Sequence, residues 1–156
     1  MPFISNILET EIRKINDEPF ASFEGFPKDV PEAADRWATA IDTFASSVIP
    51  ASTTASAAKS AFASVMQGVS AQSGNGLALL SNALTAYAGA LAGGMTGAGF
   101  IGVPPPAPII LDSISPIGLG GGSGADVAAA LATLIDTWFK TGLATPIAGG
   151  APVPWI

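Results

Sequence analysis

The stretch VPEAADRWATAIDTFASSVIP, residues 30–50, decides how this chain is read. Pro31 suits the first turn of a helix, where its missing N–H would have no partner in any case. Glu32 and Asp35 lie near the positive end of that helix. Ala33, Trp37, Ala40, Ile41, Phe44 and Val48 recur at steps of three and four and make one apolar stripe. Pro50 marks the stop.

Inside this stretch stands the hexamer ATAIDT, residues 38–43. It returns as ATLIDT at residues 132–137, with five of six positions identical. In the second copy Val127, Leu131, Leu134, Ile135 and Trp138 line one face. Both isoleucines, Ile41 and Ile135, fall on their stripes, and both aspartates, Asp42 and Asp136, fall one position off, at the edge. The repeat predicts two helices with the same solution, an apolar seam flanked by an acid, whether or not a duplication produced it. Each aspartate is expected to be solvated or hydrogen-bonded to a nearby hydroxyl.

Three more helices follow from the same periodicity. Ile4, Leu8, Ile12 and Ile15 predict an amphipathic helix over residues 3–17, with Ser5 placed to cap it. Ser52, Thr53 and Thr54 can cap a helix whose face is Ala58, Phe62, Val65, Met66 and Val69. Leu77, Leu80, Leu84, Tyr87 and Leu91 predict another, stopped by Gly93 and Gly94. Ser123 and Asp126 form a capping signal for the last helix.

The segments between and beyond the helices are unusual. EPFASFEGFPKD carries Phe20, Phe23 and Phe26 at every third position, while Gly25 and Pro27 argue against helix. It reads as a loop pinned by aromatics, or as a hook for a partner. MTGAGFIGVPPPAPIILDSISPIGLGGG contains three consecutive prolines, which favour an extended conformation. A free linker would be polar, yet this one carries Ile109, Ile110 and other large apolar residues, so it reads as a packed strap over this subunit or the next. The end, LATPIAGGAPVPWI, is uncharged and carries Trp155 and Ile156. An apolar tail needs a groove.

These readings give a mainly α fold of about five short helices, with long ordered Pro/Gly-rich segments and little or no sheet. Residues 1–156 form one domain. Residues 1–29 are an arm, 30–94 a helical core, 95–122 the strap, 123–142 the final core helix and 143–156 an apolar arm.

Composition narrows the function. Only 12% of residues are charged and 49% are hydrophobic, against roughly 25% charged in an ordinary soluble domain. The net charge is −6, and nine of the twelve acids lie between Glu9 and Asp42. No Lys/Arg cluster provides a footprint for nucleic acid. With no Cys and no His, disulfides, thiolate chemistry, ordinary zinc sites and imidazole catalysis are excluded. The acidic N-terminal stretch does not read as a secretory signal.

Neither the acids nor the glycines spell out an active site. Two carboxylates can perform glycosidic chemistry, but alanines surround Asp42 and Asp136 where a sugar site needs polar and aromatic neighbours. GLGGGSG, residues 118–124, precedes a helix but lacks the G-K-[ST] of a phosphate loop. No catalytic residue, metal ligand or cofactor is expected.

Residues 60–111 carry no charge, which raises a membrane reading, since about twenty apolar residues span a bilayer. The best window, 76–103, is interrupted by Ser81, Asn82, Thr85 and Thr96, has many glycines and lacks a Lys/Arg flank. Burial against protein is therefore favoured over lipid.

The stretches RWATAIDTF (36–44) with IPASTT (49–54), GFIGVPPPAP (99–108) and AAALATLIDTWFKTGLAT (128–145) resemble small structural proteins of tailed-bacteriophage particles. That resemblance, spread over residues 30–145, lies in general character, with Ala, Gly, Thr and Pro in helices joined by extended arms. It implies a non-enzymatic part of a tail, neck or capsid in the virion, assembled in the host cytoplasm from copies of itself and other virion proteins. Ile4, Leu8, Phe20, Phe23, Phe26, Ile109, Ile110, Trp155 and Ile156 are the interface candidates. A small membrane-active lysis or pore protein is the alternative, and a carboxylate enzyme or sugar-binding module a second.

Overall fold

The computed structural model describes residues 5–16, 27–68, 76–111 and 124–156. Among them the chain is mainly helical, with five α-helices and one small sheet. The helices are α1 (Ser5–Asn16), α2 (Val30–Ala45), α3 (Ala55–Gln67), α4 (Gly76–Gly93) and α5 (Gly124–Phe139). The strands are β1 (Phe100–Val103), β2 (Leu143–Pro146) and β3 (Val153–Pro154).

Helix α2 starts as its sequence predicts and adds a reciprocal cap. The Asp29 carboxylate accepts from the Glu32 N–H at 2.9 Å, and the Glu32 carboxylate accepts from the Lys28 N–H at 2.9 Å. Two N–H groups at the helix start are thereby satisfied. That bond from Lys28, with the Arg36 guanidinium one turn on, holds the Glu32 carboxyl below its ordinary range.

Among the described residues the stripes face inward; Ile4 and Val69 lie outside the described residues. Ile41 and Phe44 of α2, Leu8 and Ile12 of α1, Phe62 of α3, Leu84 and Tyr87 of α4, and Leu131 and Ile135 of α5 share one core. Helix α1 packs between α2 and α5, α3 packs on α2, and α4 packs on α3. The aromatic centre differs from the expectation, and Trp37 at its edge is only half-buried. Trp138 is only half-buried, while Phe139 is buried and meets Phe44, Tyr87 and Trp155 at ring-centroid distances of 5.9, 6.1 and 6.4 Å. Phe139 lies four residues past Ile135 and eight past Leu131, which returns it to the same face; Trp138 falls to the side.

Ser52, Thr53 and Thr54 do not cap α3. Thr54 occupies the cap position without a side-chain bond there. All three hydroxyls instead reach the end of α4: Ser52 donates to the Leu91 carbonyl at 2.7 Å, Thr54 to Ala90 at 2.6 Å and Thr53 to Gly94 at 3.1 Å. The last carbonyls of a helix lack intrahelical partners, so this turn closes one helix while opening the next. Close approach requires glycine: a Cβ on Gly94 would collide with Thr54 Oγ1, and one on Gly97 would lie 2.6 Å from Thr53 Cγ2.

Gly93 ends α4 as an α-helix, but the chain continues as a 3₁₀ turn over Gly94–Ala98 and stops at Gly99, whose φ of 82° is left-handed. Strand β1 follows. The sheet order is β1-β2-β3, antiparallel throughout, with Val103 opposite Leu143 and Leu143 opposite Pro154. Gly102 lets β1 lie on α4, because a Cβ there would strike the Ala92 backbone.

The described part of the strap, up to residue 111, and the closing segment both lie on this chain's own helices. Ser81 Oγ donates to the Ile109 carbonyl at 2.7 Å, and Trp138 Nε1 donates to the Ala107 carbonyl at 2.7 Å. Trp155 is fully buried beside Phe139 and Gly142. The two segments read as arms, α1 and residues 143–156, thus contribute to the same core as the central helices.

Candidate interaction surface

The repeated hexamer adopts one local geometry twice. Ile41 and Ile135 are both fully buried. Thr39 and Thr43 return their hydroxyls to the carbonyls of Asp35 and Thr39, and Thr133 and Thr137 do the same to Ala129 and Thr133. Such back-bonding satisfies the hydroxyls on an exposed helix face. The acids diverge. Asp42 accepts from the Tyr87 hydroxyl at 3.2 Å, tying α2 to α4, whereas Asp136 accepts from Lys140 one turn on at 2.7 Å. Asp136 Oδ1 is buried without a hydrogen-bond partner among the described residues. Burial, with Asp42 alongside, pushes the Tyr87 hydroxyl far above its ordinary pKa.

Among the described residues, neither aspartate lines any of three surface cavities. A polar cleft of about 240 Å³ lies between α1 and α2, lined by Glu11, Lys14, Asp35 and Arg36. A groove of about 350 Å³ runs along the strap, lined by Pro108, Ile109, Ile110, Leu134 and Trp138. A third, of about 430 Å³, is walled by Ile49, Pro50, Phe100, Val153, Pro154 and Ile156. Among the described residues no group of three or more acids, His or Cys is placed to hold a metal.

The third groove takes Phe100 and Val153 from one face of the sheet, and the opposite face is apolar as well. Ile101, Val103 and Leu143 project from that opposite face, since residues two apart on a strand, and residues opposite across strands, share a face. All three are exposed, Ile101 at 54%. Ile49, Ile147, Val153 and Ile156 are exposed at the same end, and backbone bonds join them to the sheet: Ile49 pairs with Ile156, and the Ile147 N–H donates to the Gly99 carbonyl. The segments that build this end, 43–58, 94–111 and 141–156, contain no charged residue. Among the described residues the outer edge of β1 has no partner strand.

The candidates named from the sequence fall into three groups. Ile4, Phe20, Phe23 and Phe26 lie outside the described residues. Leu8, Ile109 and Trp155 are buried within this chain, covered by helix packing, the strap and the Gly142 recess. Ile110, at 74% exposure, and Ile156 do face outward. The sequence reading missed Ile49, Ile101, Val103, Leu143, Ile147 and Val153. The one signal was the short alternation in FIGV, too brief to stand out between glycines and prolines.

In comparisons with known proteins, no family model, no curated protein and no solved structure matches this chain.

Proposed function

We propose that the chain is a non-enzymatic structural subunit that assembles with copies of itself, as a component of a tailed-bacteriophage particle in its tail, neck or capsid. The observation that carries the self-assembly is the uncharged end of the molecule, where seven large aliphatic side chains stand exposed on and around the sheet. Exposed large apolar side chains concentrated at one end mark interaction sites, and permanent interfaces resemble a domain core cut in half. The particle type rests on the sequence resemblance over residues 30–145.

Sedimentation and negative-stain microscopy of the purified chain test this reading. Rings, tubes or discrete oligomers are expected, and Ile101→Lys with Leu143→Lys should dissolve them while leaving the helical signal intact. A wild-type chain that stays monomeric at high concentration would overturn it.

One observation favours a second reading. Helix α4 with its 3₁₀ extension, Gly76–Ala98, is long and apolar enough to cross a bilayer. Its inner face, however, is occupied by Leu80, Leu84, Tyr87 and Leu91 packing on the other helices. A membrane-active protein would remain with vesicles through high-salt and carbonate washing; the assembly subunit would be released.

A further inference from the structure

The self-assembly reading leaves open how copies join, and the closing segment supplies a means. Residues 153–156 sit in a seat formed by the rest of the chain. The Trp155 N–H donates to the Gly142 carbonyl at 2.9 Å, and its indole Nε1 donates to the Leu143 carbonyl at 3.0 Å. The ring lies against Gly142, where a Cβ would stand only 2.5 Å away. Ile156 and Ile49 exchange both backbone hydrogen bonds, at 2.8 and 3.3 Å. Every one of these contacts is apolar or between backbone and a fixed donor, and none involves a charged side chain.

The connection to this segment is of a different kind. All six residues from 147 to 152 are exposed. Gly149 and Gly150 take positive φ values of 92° and 145°, so the reversal depends on glycine. Among the described residues, the backbone hydrogen bonds of this connection run from the Ile147 and Gly149 N–H groups to the Gly99 and Pro146 carbonyls. Six residues, once extended, reach roughly 20 Å.

We infer that the closing segment is exchanged between copies: residues 153–156 of one chain occupy the Gly142–Ile49 seat of a second, with 147–152 as the hinge. This inference rests on the self-assembly reading and names its joining element. The occupant is defined by the seat itself, because the same segment fills it within one chain, so exchange keeps every contact of residues 153–156 and gives up the Gly149–Pro146 turn bond of the hinge. The hinge would cross beside the exposed sheet face, and Ile147 would be carried into the new junction.

Engineered thiols test this cleanly, because the chain has no cysteine. Residues that exchange both backbone bonds have Cα atoms about 5.5 Å apart, within reach of a disulfide. Ile49 and Ile156 are both half-exposed, so replacing them spares the core. Ile49→Cys and Ile156→Cys proteins are prepared separately, mixed, co-refolded at high concentration and oxidised. Exchange gives a disulfide-linked heterodimer at up to about a thousandfold excess over either homodimer, since seated thiols meet at millimolar effective concentration and free ones at micromolar.

The double variant closing only within single chains, with no such excess in the mixture, would overturn the exchange. The wild-type chain offers a check without substitutions: in a mixture of labelled and unlabelled copies, an isotope-filtered NOE from the Trp155 indole to Gly142 must appear between copies. An oligomer lacking that signal ends the exchange and leaves self-assembly standing; a monomer at every concentration ends both.

Discussion

The indole of Trp155 lies on Gly142 so closely that even a methyl group at position 142 would be 2.5 Å from the ring. Residues thirteen apart in sequence therefore share one recess, with Phe139 behind it at a centroid distance of 6.4 Å. Overpacking a filled core costs about 1–3 kcal/mol, and truncating a buried tryptophan about 3–5 kcal/mol. Gly142→Ala should destabilise by the first amount and Trp155→Ala by the second. In the Trp155→Ala background the Gly142→Ala cost should nearly vanish, because the collision partner is gone. Urea titrations of the four proteins, treated as a double-mutant cycle, measure that coupling. Additive costs would show that the recess is not shared.

Tyr87 is the chain's single tyrosine, and it is fully buried with its hydroxyl on Asp42. Its folded pKa is raised above the unfolded value near 10. The unfolded chain therefore loses this proton above about pH 10 while the folded chain keeps it, so stability is intact below that pH and falls by about 1.4 kcal/mol per pH unit above it. Tyrosinate absorbance should rise only together with loss of helical signal, and Tyr87→Phe should remove this component of the alkaline slope. A tyrosinate signal near pH 10 in a fully helical protein would contradict the burial.

The hydroxyls of Ser52 and Thr54 bond the carbonyls that end α4 and lie 3.1 Å from each other. Each alanine substitution should cost about 0.5–1.5 kcal/mol, the net worth of one such bond. Thr54→Val should match Thr54→Ala, because the hydroxyl and not the bulk makes the contact. Since the two groups are coupled, the double substitution should depart from the sum. If Thr54→Ala weakened α3 alone in amide exchange, with α4 unaffected, Thr54 would be acting as an ordinary N-cap.

Gly102 faces the Ala92 backbone, which has no flexible end to move aside. Gly102→Ala should therefore displace the sheet from α4, at a cost of about 1–3 kcal/mol or more. Gly76, which has open space where a Cβ would go, provides the comparison. Gly76→Ala should be neutral or slightly stabilising in thermal unfolding, because it limits the freedom of the unfolded chain. Equal effects at the two sites would undo the contrast.

Helix existence and the inward face of each helix were legible in the residue order. Ile41, Leu84 and Leu131 recur with a helical period that has only one way to be buried, and proline and glycine mark most of the ends. The strands were not legible, because four, four and two residues are too few to establish a period and their pairing joins β1 to β2 across α5. Asp42 and Asp136 look equivalent as letters, yet only Asp42 has a tyrosine from another helix beside it. Trp155 reads as a tail seeking a groove, but which groove depends on the missing side chain of Gly142. Periodicity is a property of a few consecutive turns and is written locally. Recesses, strand partners and exposed patches are made by residues far apart in the chain, so they came into view only when packing brought those residues together.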